Sequence, residues 1–284
     1  MKKFYIAPPV DEVALEQEVL SSYSWLRDRV PSREDLRKIQ NDHGIDHATM
    51  ALYLSVMKSA RYSPFIEAIR SQRISQQGEA LPGLKVGLLP AMFHEEHPEV
   101  GGGGAHIIAA AKAVGFDAER LPTISKGGVI QNAEILKKWL EAQTSNRIML
   151  ITMSKGSLEF RYCWTYLMTD AEKAKIRFWL NFSGFPNGNG LAETLLASKW
   201  LRWRSILTAY IIGLSPKSFI ESDPNFPAWK KPWDLRPDIK VFSFFPIPLT
   251  SHVQTSLIRR YLKLRWLGPN DGMSDFLDLC QAIS

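Results

Sequence analysis

Between Lys85 and Gly184 the chain alternates short, continuously apolar runs with helix-patterned segments, and this alternation constrains the fold more than any other feature. "KVGLLPAMF" reads as a strand, "AHIIAAAKAVG" as an Ala-rich helix ending at Gly115, and "FDAERLPT" as a short strand or extended link. "NAEILKKWLEAQ" reads as a helix capped by Asn132, "RIMLITM" as a strand, "SLEFRYCWTYLM" as a helix and "KIRFWLNFSG" as a strand. Strands alternating with helices predict a parallel sheet with helices packed on its faces. Runs that are apolar throughout, rather than at every second residue, suit a sheet covered on both sides. The expected class is α/β, a mostly parallel sheet with helices on both faces.

The flanking segments have a different rhythm. Residues 10–75 read as helices, with Ser32 before "REDLRKIQ" as an N-cap followed by acids in the first turn. "QQGEALPG", 76–83, is a polar linker. After "FPNGNG", residues 191–213 read as helical, and a Trp- and Pro-rich stretch follows to residue 237. "IKVFSFFPIPL" resumes as a strand. "SHVQTSLIRRYLKLRWL" and "MSDFLDLCQAIS" read as helices around the loop "GPNDG". The expected organisation is an N-terminal helical region, 1–78, and an α/β domain, 79–284, with a helical, Trp- and Pro-rich insertion at about 185–237 that reads as a cap or as an ordinary peripheral helical layer.

Composition removes some function classes. A net charge of +6, spread along the chain in small clusters such as Arg202/Arg204 and Lys230/Lys231, comes without a nucleic-acid-binding motif, so no nucleic-acid partner is expected. No stretch is apolar and uncharged for long enough to cross a bilayer, so no membrane span is expected. Pro8, Pro9 and Asp11 interrupt any signal-like apolar run at the start. Cys163 and Cys280 both sit in apolar, helix-like contexts and read as free thiols suited to a reducing compartment, with the cytoplasm as the expected location.

The chemistry concentrates at "RIMLITMSKGSLEF", 147–160. Ser154 stands where a buried strand gives way to a helix, at the carboxyl end of that strand, where open parallel sheets bind their ligands. A tight turn there exposes the hydroxyl and brings helix N-terminal amides beside it, and Gly156 relieves crowding where helix and strand cross. The same tripeptide, Ser-Lys-Gly, at 125–127 follows a weaker strand and reads as a loop.

This pattern resembles the G-x-S-x-G nucleophile elbow of the α/β-hydrolase superfamily, the serine esterases, lipases and thioesterases, over about residues 84–284. Here the pentapeptide is Thr152-Met153-Ser154-Lys155-Gly156, and the β-branched Thr152 in place of the first glycine is expected to sit less easily in a tight turn. The resemblance implies an oxyanion hole from the amide after the nucleophile, Lys155, and one from the loop after the sheet's third strand; Pro90-Ala91 holds that place by position and points to Met92. Gly101–Gly104 reads equally as a flexible loop or a backbone cradle near the site. Chain order in the superfamily is serine, acid, histidine, and Asn-Asp-Gly within "GPNDGM" resembles a lipase acid loop, making Asp271 the acid, with a plain turn residue as the alternative. No histidine follows His252, which precedes the acid and is a candidate base from an unusual position. A form cut short before its last strand and histidine, or a degenerate hydrolase, explains the gap, and a sheet ending on a helix favours the first.

The implied activity is hydrolysis of an acyl ester or thioester, with a small-molecule acyl substrate and no cofactor. A non-catalytic binding protein on the same fold and an acyltransferase are the rivals. "HEEH", 94–97, spaces its histidines three apart rather than the four of a zinc-protease helix, and reads as a solvated loop; His43, His47 and His106 have no evident partners.

Overall fold

The computed structural model describes residues 10–71, 81–253 and 257–272; the last helix expected in the sequence, with Asp275, Asp278 and Cys280, lies outside them. The chain forms two compact units, one built from the N-terminal helices together with residues from Pro246 onward, the other ending at Phe245. The grouping of the segment after Pro246 with the helices differs from a boundary drawn only at the 76–83 linker.

In the helical unit, α1 (Glu12–Ser22), α2 (Arg33–His43), α3 (Ile45–Lys58) and α4 (Ser63–Ser71) follow one another. Ser32 caps α2 as expected: its hydroxyl accepts the Asp35 N–H while the Asp35 carboxylate accepts the Ser32 N–H, so two orphan donors of the first turn are satisfied. Gly44, with φ 95°, alone separates α2 from α3 and turns the chain sharply there. Thr250 joins this unit by donating both its N–H and its hydroxyl to Asp46 Oδ1, at 2.7 and 2.9 Å.

The second unit is an α/β sheet. Its strands are β1 (Leu84–Leu89), β2 (Asp117–Arg120), β3 (Arg147–Met153), β4 (Ile176–Phe182) and β5 (Lys240–Phe244), all parallel and ordered β2-β1-β3-β4-β5. Successive side chains of a strand point to opposite faces. Val86, Leu88 and Ile151 accordingly pack against Ile107, Ile108 and Ala111 of α5 (Ala105–Ala113). Ile148, Leu150 and Trp179 pack on the other face against Ala133, Leu136 and Leu140 of α6 (Val129–Ala142) and Phe160 of α7 (Gly156–Tyr162). The fold class read from the sequence is therefore the observed one.

Local details depart from the sequence reading. Helix α6 begins at Val129, and Asn132 is not its cap but a buried residue inside it. Helix α7 gives way at Cys163 to a π turn ending at Leu167, after which α8 (Asp170–Lys175) leads into β4. The 185–237 segment contains α9 (Gly190–Leu196), α10 (Lys199–Ile211) and α11 (Pro216–Ile220). It is anchored by Arg161 of α7, whose buried guanidinium donates to the carbonyls of Pro186, Trp229 and Lys231 and to Asn187 Oδ1, with the Trp229 and Trp233 rings beside it. The Trp-rich sequence thus wraps a buried cation. In the second compact unit of the fold, α12 (Ile258–Leu264) has no counterpart; it belongs to the helical unit.

Candidate active site at the carboxyl ends of the strands

The sheet order fixes where a ligand can sit. From β1 the chain crosses outward to β2, then returns past β1 to β3, so the carboxyl ends of β1 and β3 flank the point where the winding reverses. Open α/β sheets bind ligands there. Leu89, the last residue of β1, pairs with Thr152, two residues before Ser154.

Ser154 has φ 50°, in the left-handed region that costs an L-residue roughly 1–2 kcal/mol. Its N–H donates to Phe182 O at 3.0 Å, and α7 starts two residues later. Gly156 is required by close approach: a Cβ there would meet Cβ and the carbonyl oxygen of Leu89 at 3.0 Å each. The backbone here makes a strained strand-to-helix turn, the backbone geometry expected of the G-x-S-x-G pattern. Thr152 is no hindrance, contrary to the expectation from its β-branch, because it lies inside β3, where extended backbone suits it. Its hydroxyl is buried, donating to Asn181 Oδ1 and accepting from Trp179 Nε1.

Left-handed backbone at non-glycine residues occurs at Phe93, Ser154 and Ser183 among the described residues. All three lie beyond the carboxyl ends of parallel strands, β1, β3 and β4. Strain of this kind persists only where surrounding structure over-determines it, and it clusters at functional sites. Ser183, which sequence reasoning passed over, donates its N–H to Phe244 O at 2.7 Å. A loop rather than a helix follows it, and Gly184 lets that loop approach Ser157 at the start of α7, since a Cβ would stand 2.7 Å from Ser157 Cβ.

The loop after β2 holds the turn. Lys155 is buried; its ammonium lies 2.7 Å from Glu159 Oε1 and donates to Gly127 O at 2.8 Å. Asn132 Nδ2 donates to the same Glu159 oxygen at 2.7 Å and its amide oxygen accepts the Ile124 N–H. The first Ser-Lys-Gly copy is a loop, as expected, and supports the second. Ser125 O accepts the Phe93 N–H at 3.3 Å and Ser125 Oγ accepts the Glu95 N–H. One connection after β2 therefore braces both the Ser154 turn and the loop carrying Met92. That loop is further fixed by His94, which is buried rather than solvated, with Nδ1 2.8 Å from Ala91 O. His97 is exposed beside Glu99, so the two histidines of "HEEH" do not converge. Of the four glycines, Gly102 accepts the Ala91 N–H through its carbonyl and Gly104 precedes α5. Met92 Sδ accepts the Ser218 hydroxyl at 3.4 Å.

The other two sequence candidates belong to the helical unit. Asp271 follows Asn270, and it is Asn270 that makes the turn, accepting the Gly272 N–H at 2.9 Å. His252 Nε2 lies 3.0 Å from Glu12 Oε1 on an exposed surface. A cavity of about 680 Å³ lies at the opposite, amino-terminal ends of β3 to β5, lined by Arg147, Arg177, Asp238 and Lys240; its Asp238 is neutralised by Arg177 and Arg236, and it is remote from the Ser154 turn.

The five-stranded parallel sheet with helices on both faces is an α/β-hydrolase-like fold. A metagenomic carboxyl esterase known from its crystal structure is similar in fold, with a TM-score of 0.57 at 17% identity over 73% of this chain. The chain spans 63% of the length of that esterase. No protein-family model and no curated protein matches the sequence. Among the described residues no helix is long and apolar enough to cross a membrane.

Proposed function

We propose that this protein is a serine hydrolase acting on acyl esters or thioesters, with Ser154 as nucleophile. The observation that carries the reading is the left-handed backbone of Ser154 at the switch point of the sheet, directly before a helix. Attack of the hydroxyl oxygen on an acyl carbonyl forms a tetrahedral intermediate and displaces the alcohol or thiol; water then releases the acid from the acyl-enzyme. The N–H groups of Lys155 and Met92 take the oxyanion, and the buried Lys155 side chain stays out of the chemistry because Glu159 and Gly127 hold it. Asp271 is the acid on chain order alone, and His252, which precedes it, is a candidate base from an unusual position, so substitution is the test of both. No cofactor enters the scheme.

Turnover of short p-nitrophenyl esters by the wild type, Ser154→Ala, His252→Ala and Asp271→Ala decides the roles. Loss of a triad member removes most of the acceleration while the oxyanion hole keeps a remnant. Ser154→Ala is expected to lower kcat by about 10³-fold or more with the fold unchanged. Turnover that is the same in wild type and Ser154→Ala contradicts the proposal. The pairing of His252 with Glu12 favours a second reading, a binding protein on a hydrolase-like fold. That reading expects saturable binding of an acyl ester without turnover.

A further inference from the structure

Two of the three histidines without evident partners in the sequence, His43 and His47, meet a carboxylate in the helical unit. His43 closes α2 and His47 lies in the first turn of α3, so the sharp turn at Gly44 folds one imidazole back toward the other, and their ring centroids are 5.3 Å apart. Glu18 reaches them from α1. The ligand-capable atoms of the three residues lie within 4.8 Å of one another. His47 Nε2 is closed off from solvent and makes no hydrogen bond among the described residues. It lies 3.3 Å from Glu18 Oε1, close enough for ionic attraction but without hydrogen-bond alignment. A buried imidazole nitrogen left in this state is costly unless something satisfies it.

We propose that Glu18, His43 and His47 form a binding site for a borderline-soft divalent transition metal, zinc above all. Donor atoms about 3.3 Å apart are what tetrahedral zinc with bonds of about 2.0–2.1 Å requires. The His47–Glu18 pair already has that spacing, and a side-chain rotation of the exposed His43 brings in the third donor. Two imidazoles and one carboxylate select zinc, copper or nickel over magnesium and calcium, which prefer all-oxygen shells. Three protein ligands leave the fourth position to water. The bound ion ties α1 to the α2–α3 corner.

The test uses the full chain, stripped with a chelator and titrated with zinc chloride. One equivalent is expected to bind saturably, and zinc at 100-fold the dissociation constant is expected to raise Tm by roughly 5 °C, while magnesium leaves it unchanged. A partner one shell further out is worth 10–100-fold in affinity, so losing a ligand in His43→Ala or Glu18→Gln should weaken binding at least about tenfold. Both side chains are exposed or half exposed, so both variants are expected to keep the wild-type circular dichroism spectrum. His97→Ala, at an exposed histidine elsewhere, should bind as the wild type does. X-ray absorption at the zinc edge should show two imidazoles and oxygen donors. Failure of the wild type to bind zinc saturably, undiminished affinity in the His43→Ala/Glu18→Gln double variant, or a sulfur ligand at the zinc edge overturns the proposal. None of these outcomes bears on Ser154.

Discussion

Ser154 carries a backbone strain that the proposed nucleophile role would account for. Its left-handed backbone is a cost that an ordinary strand–helix junction avoids by placing glycine there. Replacing Ser154 by glycine should therefore raise stability by about 1 kcal/mol, since glycine adopts this conformation freely and its extra unfolded-state entropy offsets only part of the gain. The same change should abolish ester turnover. Urea denaturation of Ser154→Gly beside Ser154→Ala checks the first half, because alanine removes the hydroxyl and keeps the strain. Equal stabilities for the two variants would show that the turn is not strained at this residue. Cys163 gives a contrasting case of a nucleophile made inert. Burial pushes its thiol well above the usual cysteine range, and thiolate is the reactive form. Peptide mapping after iodoacetamide treatment should find Cys163 unmodified in the native chain and alkylated in denaturant.

At the scale of elements, the connection between β2 and α6 organises the candidate site. The Lys155–Glu159 pair is buried with Asn132 and the Gly127 carbonyl, and Glu159 Oε2 has no hydrogen-bond partner among the described residues. Removing one member of a buried pair strands the other, at a cost of about 3–5 kcal/mol. Glu159→Ala should lose that much in thermal or urea unfolding, whereas Lys155→Met with Glu159→Leu, which removes both charges, should lose far less. A small loss in Glu159→Ala would mean that solvent reaches Lys155 after all. Much of this layer was legible in advance. The mainly apolar runs at 84–89 and 147–153, alternating with helix patterns, read as buried parallel strands, and the step from Met153 to Gly156 located the turn. The brace was not legible, because nothing in "TISKGG" says which buried groups its carbonyls will meet. Asn132 looked like a cap because capping asparagines and buried asparagines share one local pattern; its partner Glu159 is far along the chain. His94 looked solvated because its neighbours Glu95 and Glu96 are charged, while its own ring turns inward to Ala91. The histidines at 43 and 47 could not be read together with Glu18 until α1 was packed beside them.

For the molecule as a whole, each compact unit carries its own proposed site. In the helical unit the capping box also makes stability depend on pH. The Arg29 hydrogen bond, followed by the Ser32 hydroxyl and N–H, holds the Asp35 carboxyl well below the usual carboxylate range. A depressed folded pKa contributes stability that is present above the unfolded value, near 3.9, and lost as pH falls toward the folded one. Asp35→Asn should therefore cost about 1 kcal/mol at pH 7, the usual worth of a helix cap, and progressively less as pH drops below 4. A pH-independent difference would place the effect in packing. The sheet unit carries the central claim, that the strained turn at Ser154 presents an activated nucleophile. The most direct measurement is labelling of the native full-length chain with a fluorophosphonate, with the modified residue located by peptide mass spectrometry. An adduct on Ser154 is expected to form in the folded protein and to fail to form after unfolding in urea; an unmodified Ser154, or an adduct at Ser125 or Ser183 in its place, contradicts the proposed role of Ser154.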